Sequence, residues 1–129
     1  MGFLTPHAEK IYAVMRIFVG LLFMQHGLQK IFGLFGGVPE GTPAFIVYLG
    51  GGIELVGGAL VAIGLFAGPA AFLCSGMMAV AYFMAHASGG FFPIMNKGEP
   101  AVVYCWVFLF IAAKGAGIWS ADAARGANA

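Results

Sequence analysis

Apolar residues run along this chain in four long stretches separated by clusters of glycine, proline and charge. A bilayer crossing needs about 20 apolar residues at 1.5 Å rise to cover a hydrocarbon core of about 30 Å. The pattern predicts helices at about residues 12–32, 44–66, 69–87 and 100–119. The breaks have turn chemistry. The stretch from Gly33 to Pro43 carries several glycines and two prolines, Gly68-Pro69 predicts a tight hairpin, and Ser88 to Glu99 forms the second sizeable loop. Pro100 suits a first helical turn, with Glu99 beside the positive end of that helix dipole. The predicted fold class is all-α, an integral membrane four-helix bundle in a single domain spanning residues 1–129.

Composition supports this reading. Of the 129 residues, 61% are hydrophobic and 9% charged, and mean hydropathy is +0.95. An average soluble domain is about 25% charged, and a water-facing exterior needs that polar cover. The net charge of +1 supplies no footprint for nucleic acid. The first apolar segment lacks a small-residue cleavage site and reads as an anchor. The sequence contains no dinucleotide-binding glycine fingerprint, P-loop, zinc-protease motif or nucleophile elbow. Four crossings put both termini on one side. Lys10, Arg16, Lys114 and Arg125 on that side, against Lys30 and Lys97 opposite, favour cytoplasmic termini in a bacterial-type cytoplasmic membrane. Tyr12, Tyr48 and Trp119 are candidates for interfacial belts.

Glycines at close spacing, including Gly20 and Gly27 on the first helix and Gly50 and Gly58 on the second, predict close helix contacts. Charges within spans cost about 2.5 to 3.5 kcal/mol on insertion scales, so each requires a partner or a role. Arg16, Phe23, His26, Gly27 and Lys30 share one sector of the first helix. Counting rise from the predicted ends puts Glu54 about 18 Å below the outer end of its helix. Arg16 and Lys114 are then within about 6 Å of its depth, while Lys30 is about 15 Å shallower and a poor partner. Glu54 is thus expected either in a structural ion pair with Lys114 or Arg16, or as a proton-handling carboxylate.

The outer half of the bundle collects the remaining chemistry. His26, Gln29 and Lys30 on the first helix, Tyr82 and His86 on the third, and Tyr104 with Trp106 on the fourth fall near one layer. Hydrogen-bond donors beside an apolar interior suit a flat amphipathic ligand with carbonyl acceptors, such as a quinone head group. A polar interior that only fixes helix register explains the same residues. Haem ligation by His26 and His86 is disfavoured by a depth difference of about 4 Å and by Lys30 beside it. Cys74 and Cys105 are too far apart along the axis for a disulfide and read as small core residues.

Two stretches carry a resemblance. The run from Arg16 to Phe23 followed by His26-Gly27-Leu28-Gln29-Lys30-Ile31-Phe32 resembles the opening helix of the DoxX family. Gly51-Gly52-Ile53-Glu54-Leu55-Val56-Gly57-Gly58, then Gly64-Leu65-Phe66, is similar to its second helix. Tyr82, His86, Gly90-Phe91-Phe92-Pro93 and Asn96-Lys97-Gly98-Glu99 extend the likeness over roughly residues 10–122. The resemblance implies a four-helix membrane protein linked to oxidoreductase complexes. One relative is the membrane subunit of thiosulfate:quinone oxidoreductase, and others associate with redox partners. The expectation is a membrane subunit of a quinone-linked oxidoreductase or electron-transfer assembly rather than a complete enzyme. A larger membrane complex or soluble redox partner would supply the redox centre, and His26, Gln29, Lys30, Glu54, Tyr82 and His86 would form or support the quinone site. The alternative is a structural accessory subunit that fills an interface without binding a redox ligand.

Overall fold

The computed structural model describes residues 1–127 and is helical throughout, with no strand among the described residues. Helix α1 is Ala8–Phe32, preceded by a short 3-10 turn at Thr5–His7. Helix α2 is Ile46–Ile63 and α3 is Ala67–Gly89, the last three residues of which tighten into a 3-10 turn. A single turn, α4, at Pro93–Asn96 leads into α5 at Glu99–Lys114, and a short α6 at Ala121–Ala124 ends the fold.

Three helices, α1 with its preceding turn, α2 and α3, are long and apolar enough to cross a membrane. The chain is an integral membrane protein. The predicted fourth crossing is shorter than expected. It stops at Lys114, so α5 has 16 residues, about 24 Å of rise. The break is conformational: Gly115 adopts φ 91° and ψ −173°, a region open to glycine, and Gly117 follows at φ 71°. The predicted hairpin also moves. Gly68 and Pro69 lie inside the first turn of α3, and the reversal is made by Gly64, Leu65 and Phe66. Proline is accommodated there because first-turn amides have no intrahelical partner.

Backbone contact between α1 and α2 sets the geometry of the bundle. A Cβ on Gly20 would lie 2.5 Å from the Ala62 amide nitrogen, and one on Gly27 would lie 2.5 Å from that of Leu55. No side chain fits at either crossing point. In lipid, where apolar burial alone does not drive association, such contact is what brings helices together. It also sets the register: Gly27 lies beside Leu55 and Gly51, and Lys30 lies beside Gly51. Helix α2 therefore begins about two residues, or 3 Å, beyond the level at which α1 ends. The first turns of α2, Ile46–Gly50, and the next segment, Ile53–Gly57, are wound as π-helix, as is Tyr82–His86 on α3.

The terminal end of the bundle is tied by polar bonds. Arg16 is fully buried, yet it meets no carboxylate among the described residues. Its Nη1 donates to the carbonyls of Val61 (2.9 Å) and Ala62 (2.8 Å), and its Nη2 to those of Ile118 (3.3 Å) and Trp119 (2.7 Å). Val61 and Ala62 are in the last turn of α2, where a cation complements the helix dipole; the Val61 carbonyl also accepts from the Gly64 amide. Asp122 plays the converse part: its carboxylate accepts from the amides of Phe66 and Ala67 at the start of α3 and from Arg125 Nε. Burial alone would raise the pKa of Asp122, but the amide bonds from Ala67 and Phe66 and the Arg125 guanidinium outweigh it and hold the carboxyl below its ordinary value. Tyr12, expected in an interfacial belt, is buried instead. Its hydroxyl donates to Gly115 O at 2.6 Å and its ring meets Phe110 edge-on.

Candidate functional site

The helix register decides the first feature of the site. Lys30 Nζ lies 2.7 and 2.8 Å from the two carboxylate oxygens of Glu54. The expected partners are engaged elsewhere: Lys114 pairs with exposed Glu9 at 3.0 Å, and Arg16 holds backbone carbonyls. Counting depth from the helix ends assumed that α1 and α2 start level. Because α2 projects beyond α1, Glu54 is only about four residues, or 6 Å, from the level of Lys30, within the reach of the lysine stem. The carboxylate is buried at 3% side-chain exposure, whereas Lys30 keeps 18%, so the lysine links Glu54 to the edge of the bundle.

Tyr82 and His86 are brought together as expected, through a residue that sequence reasoning did not single out. Asn96 is buried and bonds in every direction. Its Nδ2 donates to the Tyr82 hydroxyl (3.0 Å) and to Gly90 O (3.0 Å), and its Oδ1 accepts from the Gly98 amide (2.8 Å). Its own carbonyl lies 3.1 Å from His86 Nδ1. A carbonyl only accepts, so Nδ1 carries the proton and Nε2 is left as the acceptor of the neutral ring. The Tyr82 hydroxyl accepts from Asn96, and its own proton has only the long 3.4 Å contact to Phe91 O. That proton is available to a better acceptor. The signal for Asn96 was present in the turn Asn96-Lys97-Gly98, where Lys97 has φ 61° and the turn needs a side-chain acceptor.

Beside this network a cavity of about 530 Å³ lies between α3 and α5, walled at the end away from the chain termini by Gly90, Phe91 and Pro93. Met78, Tyr82, Phe83, Ala101, Cys105 and Trp106 form much of its surface. Its volume falls within the roughly 300–1,000 Å³ typical of small-molecule sites, and its chemistry, mostly apolar with one hydroxyl, is that of such sites. Ser75 Oγ, which donates to the Cys105 carbonyl at 2.8 Å, fixes α5 against α3 beneath it.

The other expected residues lie apart from this cavity. The His26 ring meets Tyr104 edge-on at 6.3 Å, and Tyr104 stacks on Phe108. Tyr104 also lines a second crevice of about 410 Å³ between α1 and α5, with Val19, Leu22 and Glu99. Gln29 Nε2 points to the α1–α2 loop and donates to Phe35 O at 3.4 Å. The single expected layer is therefore three groups: Lys30 with Glu54, His26 with Tyr104, and Tyr82 with His86 and Asn96.

Comparisons with known proteins agree with this membrane architecture. The model of the DoxX family matches residues 11–87, which hold most of α1, all of α2 and most of α3. An uncharacterized protein of Haemophilus influenzae is 38% identical over 130 aligned residues, covering 95% of this chain and 96% of that protein. A Bacillus subtilis protein named "Putative oxidoreductase CatD" is 40% identical over 56 residues, which is 40% of this chain and 42% of that one. No solved structure matches the chain. With the family model extending over more than half of its residues, this chain belongs to the DoxX family.

Proposed function

We propose that this protein is a membrane subunit of a quinone-linked oxidoreductase or electron-transfer assembly, and that the cavity between α3 and α5 receives the quinone head group. The observation that carries the reading is the Tyr82 hydroxyl, oriented by Asn96 at the wall of an apolar cavity of about 530 Å³. It would donate to a quinone carbonyl, while His86, through Nδ1 on the Asn96 carbonyl, holds the loop that carries Asn96 in place. The partial likeness to the Bacillus subtilis protein supports a redox setting. In this reading a partner subunit supplies the electrons. Glu54 and Lys30 stabilise the α1–α2 interface apart from the site.

In this reading α5 completes a four-span bundle despite its 16 residues. It packs along α3, and at its ends Lys114 reaches Glu9 and Gly98 touches the Tyr82 ring. Both termini face the cytoplasm, which the distribution of lysine and arginine supports. A cysteine at Glu40, in a background with Cys74 and Cys105 replaced, is then labelled from outside intact cells. Labelling only after permeabilisation reverses the orientation.

The function is tested by quinone content after purification into lipid nanodiscs. Near-stoichiometric quinone in the wild type, reduced several-fold in a Tyr82→Phe variant that still purifies as a folded, monodisperse bundle, is the expected result. Bulk phospholipid alone in both proteins would overturn it. That result would favour a structural accessory subunit, a reading supported by the mutual satisfaction of Lys30 with Glu54 and of Asn96 with its four partners.

A further inference from the structure

The loop between α3 and α5 does not stand off from the bundle. Asn96 reaches the Tyr82 hydroxyl and the His86 ring, and Gly98 lies on the ring of Tyr82. Tyr82 is seven residues before Gly89, about 10 Å along the axis, so the segment lies back against the last turns of α3. Its polar side is thereby committed inward. Its other side carries Phe91, Phe92, Ile94 and Met95, which are 87%, 60%, 82% and 73% exposed. Scattered apolar residues on a surface are ordinary, but four large ones within five positions form a patch that something must cover.

The bilayer is the cover that the geometry supplies. Helix α3 has 23 residues, about 34 Å, enough to cross the whole hydrocarbon core. A segment laid against its last turns sits at the level where hydrocarbon gives way to head groups. The patch also continues the lipid-facing surface of Phe83 and Trp106, both exposed on the adjoining faces of α3 and α5. Lys97, exposed at the end of the segment, is placed for phospholipid phosphate. Aromatic and aliphatic side chains with a flanking cation are the chemistry of an interfacial element. We propose that Phe91 to Met95 is a membrane-inserted interfacial segment whose four large side chains sit among the upper acyl chains. Phe91 and Pro93 also wall the cavity, so its mouth opens to lipid, and a hydrophobic ligand enters sideways from the bilayer. That last consequence rests on the quinone reading; the insertion itself does not.

Site-directed fluorescence tests the insertion without any quinone. Ile94→Trp and, as a second position, Met95→Trp are made in a background with Trp106→Phe and Trp119→Phe. Glu40→Trp in the α1–α2 loop serves as the water-exposed reference. The full chain is reconstituted in phosphatidylcholine–phosphatidylglycerol vesicles, using variants that elute as the wild type does. Blue-shifted emission, several-fold weaker acrylamide quenching than Glu40→Trp, and stronger quenching by shallow than by deep nitroxide lipids are expected at both positions. Water-like emission with acrylamide access equal to Glu40→Trp would overturn the proposal. So would protection from both acrylamide and lipid nitroxides, which would mean that a second copy or another protein covers the patch. Failure here leaves the quinone content of the protein as a separate question.

Discussion

Lys30 and Glu54 form a bidentate ion pair across the α1–α2 interface, at 2.7 and 2.8 Å, although rise counted from the predicted ends puts them about 15 Å apart in depth. The pair is asymmetric. The carboxylate is almost wholly enclosed, while the lysine retains access to the edge of the bundle.

That asymmetry predicts unequal mutants. Lys30→Ala strands a buried carboxylate and should cost about 3 kcal/mol, the low end of the usual range because the carboxyl can take up a proton. Glu54→Gln leaves a lysine that can turn outward and should be the milder change. Joint replacement by Lys30→Met and Glu54→Leu should recover much of the loss. Lys114→Ala, which breaks only an exposed pair with Glu9, should change stability by under about 1 kcal/mol. Thermal unfolding in detergent measures all four, and a Lys114→Ala penalty as large as that of Lys30→Ala would contradict the pairing.

The helix crossing predicts a sharp contrast between two glycines. Gly20→Ala forces a methyl to within 2.5 Å of the Ala62 backbone and should destabilise the bundle by about 1–3 kcal/mol. Gly76 has nothing within 4 Å of its would-be Cβ, so Gly76→Ala should be neutral or stabilising by up to about 1 kcal/mol through helix propensity. The same unfolding assay compares them.

Asn96 predicts a local effect. Asn96→Leu removes the donor to Tyr82 and Gly90 and leaves the Gly98 amide without its acceptor, at a cost of about 1–3 kcal/mol. Hydrogen exchange should then quicken in residues 90–98 while α1 and α2 stay protected. Uniform quickening across the chain would show that Asn96 supports the whole bundle instead.

Asp122 predicts a pH dependence. Its folded pKa is depressed, so its contribution to stability is complete above its ordinary value of 3.8, shrinks as the pH falls below that, and is gone once the pH has passed the lower folded value. Asp122→Asn should therefore be less stable than the wild type at neutral pH, and the two should converge in strong acid. A difference that persisted unchanged to low pH would mean that the amide bonds at α3 do not depend on the charge.

The residues differ in how far they could be read without coordinates. The long helices were legible because a bilayer makes a local demand: every stretch within it must be apolar and must satisfy its own backbone, so length and hydropathy along the chain reveal it. Gly20, Gly27 and Gly58 were legible as contact points for a similar reason, since side-chain size is a property of each position. The end of α5 was not, because Ala116, Ile118 and Trp119 continue the apolar pattern past a backbone break at Gly115. The partners of Glu54, Arg16 and Asn96 were beyond reach altogether. Each depends on how far one helix slides past another or how a loop folds back. Those displacements follow from backbone contact at Gly20 and Gly27 and from the end carbonyls of α2 that Arg16 binds. Such a slide changes no hydropathy value, yet it changes which charges meet across the α1–α2 interface, and so tertiary packing alone assigned Lys30 to Glu54.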